Sequence, residues 1–352
     1  MTATAPNAAS SKQRLSAVPL LKFMLILGVV MIHCTVRTSY APGESAAGYN
    51  VVQFMVSLAR VSVPAFFIIS GYLFFYQVDN FNFTLYKDKL RSRYRTLFVP
   101  YVVWNIILYC EFLFKVYVLG YPSYGIIDGD TVNRWKMLEG FVYIEQAQGL
   151  PYAFAFWFIR NLMVFIILSP LVWLVARKWW IAVAVLFLQH VFYIRLYFME
   201  WFIIGATLSL NGFNPEKIRI RNWVAAALGI ITLLTALARF NISMPGGADK
   251  FLFCVEVMAA TAFLYYLSLR ISRTHDGPLL QTATSSTFFI YAFHQCFCFL
   301  CVKIWASIFG YATLASCMTI FFCAFFTTSG ISFAMYLLLK EFSPRLLNLL
   351  TR

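Results

Sequence analysis

The chain has 352 residues, of which 61% are hydrophobic and only 12% charged. A soluble domain carries about 25% charged residues, so this composition leaves too little polar surface to cover a water-facing globule and excludes one. The formal net charge of +14 would point to nucleic acid in a soluble protein. Here the basic residues gather in particular loops, so orientation in a membrane accounts for them and no nucleic-acid partner is expected.

The chain opens on a polar segment, residues 1–17, which is expected to be disordered and cytoplasmic. Lys12 and Arg14 stand before an apolar run, as in a signal peptide. The run outlasts a signal's apolar core of about 7–15 residues and ends without a small-residue cleavage site. Apolar runs of about 20 residues match the hydrocarbon thickness of a bilayer. Only helices and closed barrels satisfy their backbone there, and continuous rather than alternating runs select helices. Ten spans follow in order: 18–37, 51–76, 96–119, 152–176, 179–194, 197–211, 222–240, 251–271, 286–308 and 311–339. The expected fold is therefore all-α, a polytopic membrane bundle of about ten transmembrane helices. One transmembrane domain covers 18–340 and a cytoplasmic tail covers 341–352, with no internal repeat. The longest loop, 120–151, carries MLEGFVYIE (137–145), expected as a short interfacial helix.

Alternate sides of these spans hold 17 and 6 Lys and Arg residues. The poorer side has Arg37, Arg134, Lys136, Arg195, Arg239 and Lys250. Cytoplasmic loops hold the excess of positive charge, which puts both termini in the cytoplasm. The eight cysteines lie in or beside apolar runs, which argues against a disulfide framework. CFCFLC (296–301) superficially resembles a metal site but reads as small packing residues, and no metal is expected.

Ionisable residues inside a span are costly and usually face a bundle interior or a cavity. Ten fall there: Lys22, His33, Arg60, Glu111, Lys115, Arg160, His190, Glu256, His294 and Lys303. Counted from the expected span ends, His33, Arg60, Glu111, Arg160 and Glu256 share the outer half, whereas His294 falls at inner-to-middle depth. The shared depth suggests a polar chamber open to the outer face. Lys22 and His33 are eleven steps apart, almost three turns. Both therefore lie on nearly one helical face, about 16 Å apart along the axis. The alternative is that Lys22 snorkels to anionic lipid and His33 bonds a neighbouring helix.

KFMLILGVVMIH (22–33) resembles the first-helix signature of the acyltransferase-3 family of integral membrane O-acyltransferases, a basic residue, ten residues, then histidine. Four more segments are similar to that family in the same order: VPAFFIISGYLFF (63–75), RSRYRTLFVPYVVWN (91–105), WFIRNLMVFIILSPL (157–171) and STFFIYAFHQ (286–295). Two positions depart from the pattern. Lys22 stands where the family often has arginine, which loses bidentate anion binding, and Pro19 stands where an acidic residue often precedes it.

The resemblance implies a ten-helix bundle in the bacterial cytoplasmic membrane. It also implies transfer of an acyl group, by default acetyl, from cytoplasmic acetyl-CoA or another acyl-CoA to a hydroxyl of a surface glycan or lipid-linked saccharide. The acyl-CoA is a co-substrate, and no tightly bound cofactor is expected. His33 matches the catalytic histidine, a general base or a transient acyl carrier. His294 matches the family's second histidine, expected as a catalytic residue that orients the thioester or a neighbouring side chain, or else as a packing residue. Lys22 guides the donor, and Arg91, Arg93 and Arg95 hold its phosphates or bind membrane lipid headgroups. Arg60 and Arg160 serve the oxyanion or an anionic acceptor, or else pair with Glu256 or Glu111. Trp157 stacks on a sugar or anchors at the interface. Ser70 and Gly71 permit close helix approach; His190 and His275 are incidental.

Two rivals stay open on the sequence. A transporter or flippase would use the same charges without covalent chemistry, although no pair of broken helices is visible. An acyl-passing subunit would serve a separate transferase.

Overall fold

The computed structural model describes residues 15–35, 39–120, 123, 126–128, 131–145, 148–192, 198–275 and 277–351. The expectations on Lys12, Arg14, Arg37, Arg195 and the side chain of His190 lie outside the described residues.

The first helices in chain order are α1 (Val18–His33), α2 (Ala46–Ala59), α3 (Ser62–Phe75), α4 (Phe83–Arg93) and α5 (Val99–Leu119). A ribbon of β1 (Ile127–Asp128) and β2 (Thr131–Val132) precedes α6 (Arg134–Glu139), α7 (Trp157–Ile167), α8 (Ser169–Ala176), α9 (Trp179–Val191) and α10 (Met199–Leu210). Then come α11 (Asn222–Asn241), α12 (Gly246–Thr274), α13 (Pro278–Ser285), α14 (Thr287–Phe293), α15 (Cys298–Phe309), α16 (Leu314–Phe342) and α17 (Pro344–Thr351). Local signals set the ends. Gly120 takes a left-handed conformation (φ 66°) after α5, where glycine costs least. Thr313 and Ser316 form a reciprocal capping box at the start of α16.

Among the described residues, five helices are long and apolar enough to cross a membrane: Ala46–Phe75, Phe83–Leu119, Asn222–Asn241, Gly246–Thr274 and Leu314–Phe342. Two further spans are bent, α7 against α8 by 70° and the Thr287–Cys296 segment against α15 by 59°. The protein is thus an all-α, multi-pass membrane protein with five to seven candidate spans.

Both bends correct the expectation of straight helices. Pro170 lies in the first turn of α8, where it supplies no N–H to the preceding turn. The second bend contains neither proline nor glycine; the backbone of Phe297 leaves the helical region at φ −144°, ψ 2°. Broken spans are what transporters use, so the sequence argument against transport from unbroken helices falls.

Two other expectations are revised, on the loop helix and on residues 15–17. The helix of the long loop spans 134–139 rather than 137–145, because Asn133 caps its start and Gly140 ends it. Residues 15–17 pack against the bundle, with Ala17 fully buried and the Ser16 N–H donating to Glu216 Oε1 at 2.8 Å. The C-terminal segment forms α17, whose Leu347 and Leu350 enter the core. Trp104 Nε1 donates to the Leu350 carbonyl at 3.0 Å.

The tightest crossing is α3 on α10. A side chain at Gly71 would collide with the Phe202 carbonyl, and one at Gly205 with the Ile68 carbonyl. Three apolar cores form, the smallest of them Leu21, Leu25, Ala65 and Ile69. Of the two larger, one gathers Trp104, Phe156, Phe289 and Phe321, the other Phe67, Phe74, Phe165 and Phe202.

Candidate active site

A cavity of about 420 Å³ is lined from both of the larger cores, within the range of small-molecule sites. Lys22 and His33 both line it, as expected for residues three turns apart on α1. Arg93 lines the same cavity. Arg91 and Arg95 are exposed and do not line it. Residues two apart on a helix point in nearly opposite directions, so three arginines at that spacing do not share one face. Trp157 lines the wall, packed on Phe198 at 5.3 Å between ring centroids.

The imidazole of His33 meets the edge of Phe154 at 5.0 Å and the ring of His294 at 5.4 Å. The expected span directions put His294 closer to the cytoplasm than His33. The helical segment starts earlier than expected, at α13, so His294 lies about as far from Pro278 as His33 does from Val18. His294 is fully buried. Its Nδ1 lies 2.7 Å from the Tyr291 carbonyl and 3.2 Å from that of Ile290. A carbonyl only accepts, so Nδ1 carries the proton. The other nitrogen, Nε2, is buried without a hydrogen-bond partner among the described residues.

Phe154 is held by polar groups that sequence reasoning missed. Asn105 Oδ1 accepts the Ala153 N–H at 3.1 Å, and Gln295 Oε1 accepts the Ala155 N–H at 3.1 Å. The Tyr291 hydroxyl donates to the Ala155 carbonyl at 2.5 Å. The signal was available: Asn105 and Gln295 are uncharged polar residues inside apolar runs, and buried polar groups find partners.

The outer polar chamber does not form among the described residues. Arg60 is exposed at the end of α2 and does not line the cavity. Glu256 pairs with neither Arg60 nor Arg160; its Oε2 accepts from Arg239 Nη1 at 2.7 Å, and Arg239 also binds Asp249. Glu111 pairs with Lys115 one turn on, at 2.6 Å. Sharing a depth did not bring these charges together, because each lies on a different helix face. Arg160 is spent on the loop before α7. Its Nη1 donates to the carbonyls of Val142 at 2.5 Å and Gly149 at 3.0 Å. Charge-assisted bonds of this kind contribute about 1.5–3 kcal/mol. Arg160→Ala is expected to speed limited proteolysis at 140–150 and lower the thermal midpoint, with turnover per folded molecule changed less than tenfold. Unchanged cleavage would remove the clamp.

A family model described as an acyltransferase domain, that of the acyltransferase-3 family, matches residues 15–337. The succinoglycan biosynthesis protein ExoH of Rhizobium meliloti (strain 1021) is 25% identical over 353 residues, spanning 94% of this chain and 90% of that protein. No solved structure matches.

Proposed function

This chain belongs to the acyltransferase-3 family, and from that premise we propose that it moves an acyl group from cytoplasmic acyl-CoA to a hydroxyl of a cell-surface glycan or lipid-linked saccharide. One observation carries the reading: a single cavity contains two cations, Lys22 and Arg93, and an imidazole, His33, about 16 Å along α1 from Lys22. The flexible pantetheine arm of an acyl-CoA bridges such a distance. Its phosphates suit the two cations, and its thioester then lies beside His33. Acetyl is the group to test first.

His33 takes the proton of the acceptor hydroxyl as that oxygen attacks the thioester carbonyl. The C–S bond breaks as the tetrahedral intermediate collapses, and the departing thiolate takes the proton from the imidazolium. Trp157 offers an aromatic face to a sugar ring. A polysaccharide acceptor is supported by the name of the similar protein from Rhizobium. The three shorter apolar helices, Val18–His33, Trp179–Gln189 and Met199–Leu210, would raise the five to seven spans to ten. With the charge asymmetry of the loops, both termini then lie in the cytoplasm of a bacterial inner membrane.

Lys22→Ala and Arg93→Ala are each expected to raise the KM for acetyl-CoA about tenfold, one charge-assisted contact apiece, with kcat little changed. An unchanged donor KM would end the donor-binding role. Purified protein should release CoA from [¹⁴C]acetyl-CoA and label a glycan; a transporter does neither. An acyl-passing subunit would release CoA yet label glycan only when its partner is added.

A further inference from the structure

Two histidine rings side by side suit more than a lone general base. Resting on the general-base reading of His33, we propose that His294 is a positioning residue that fixes the tautomer of His33. The carbonyl of Tyr291 holds the His294 proton on Nδ1. In the neutral ring the lone pair is therefore on Nε2, the buried atom that has no hydrogen-bond partner among the described residues. Burying such a group unpaired is costly, so a donor is called for, and the adjacent ring at 5.4 Å is that of His33.

A small rotation of His33 lets one of its ring N–H groups donate to His294 Nε2. Its other nitrogen then carries the lone pair and faces the cavity that His33 lines. The chain of bonds runs from the Tyr291 carbonyl, through the N–H and lone pair of His294, to the N–H and free lone pair of His33. Hydrogen bonds in series polarise one another, most of all where the dielectric is low. The arrangement does for His33 what a buried carboxylate does for the histidine of a Ser-His-Asp triad, which is to hold the tautomer and orientation of the base. A neutral imidazole does so without placing a charge at membrane depth, where charge is expensive.

During transfer the hydroxyl proton goes to the free nitrogen of His33, while the proton shared with His294 stays on His33. The hydroxyl proton then passes to the thiolate, so both rings finish as they began and no further reactant is consumed.

The test has a structural and a kinetic arm, both on the full chain in lipid nanodiscs. The protein has four histidines, so ¹⁵N-histidine NMR is assignable with His33→Gln and His294→Gln. His294 is expected to show a protonated Nδ1 and a bare Nε2, and His33 a single fixed tautomer. In His294→Phe the His33 ring should exchange between tautomers. In the kinetic arm, His294→Phe should lower kcat for acetyl-CoA turnover about 100-fold, with the donor KM and thermal midpoint unchanged. His294→Gln, whose side-chain carbonyl still accepts a bond, should recover about tenfold. Identical His33 signals in wild type and His294→Phe, or equal kcat for Phe and Gln, would overturn the proposal. If wild-type protein turns over no acetyl-CoA, the proposed donor falls, and the NMR arm alone still decides the pairing.

Discussion

His33→Ala is expected to abolish acyl transfer, by at least about 10³-fold, while the protein still inserts and folds. Removing a positioned general base costs about 10²–10⁴ in rate, and loss of an acyl carrier would cost the whole covalent route. The fold should tolerate the change because the ring stands at a cavity wall rather than in a packed core. It gives up an edge contact with Phe154, and aromatic pairs are worth about 0.5–1.5 kcal/mol. The measurement is release of CoA from acetyl-CoA by wild type and variant at equal amounts of monodisperse protein. A variant within tenfold of wild type would remove His33 from the chemistry, and the donor cavity would need another base.

The second large effect is on the fold. Gly205→Val should yield little or no folded protein, and Gly71→Ala should be measurably destabilised. At both positions the obstacle is backbone: the Ile68 carbonyl for Gly205 and the Phe202 carbonyl for Gly71. A flexible side chain can turn aside, whereas a main-chain carbonyl moves only if the helix moves. Overpacking commonly costs about 1–3 kcal/mol, and separating α3 from α10 also disturbs Phe74 and Phe202, which line the cavity. Size-exclusion profiles and thermal midpoints of detergent-extracted protein check this. A monodisperse Gly205→Val protein with the wild-type midpoint would contradict the close crossing.

Much of the architecture could be read from residue types, because lipid imposes simple rules on a chain. Long apolar runs had to be helices, and each of the ten predicted runs overlaps an apolar helix or bent pair. The face shared by Lys22 and His33 followed from helical geometry alone, since α1 is a single regular element. What failed required knowing how elements rotate and meet. Charges at one depth were expected to converge, yet Arg160 turned to the carbonyls of its own loop. Glu256 found Arg239 across the α11–α12 hairpin. The break at Phe297 has no proline or glycine to announce it. The nearness of His33 and His294, 261 positions apart, depends on α13 extending that segment, and no local pattern encodes it.

The proposed reaction requires an acyl-CoA to thread the cavity from Lys22 and Arg93 to His33. A cryo-EM structure in nanodiscs with a non-hydrolysable acetyl-CoA analogue, its thioester replaced by a ketone, tests this directly. Density is expected with phosphates at Lys22 and Arg93 and the ketone oxygen or its neighbouring carbon within reach of the His33 ring. An analogue bound elsewhere, with the His33 cavity filled by lipid or closed, would contradict it.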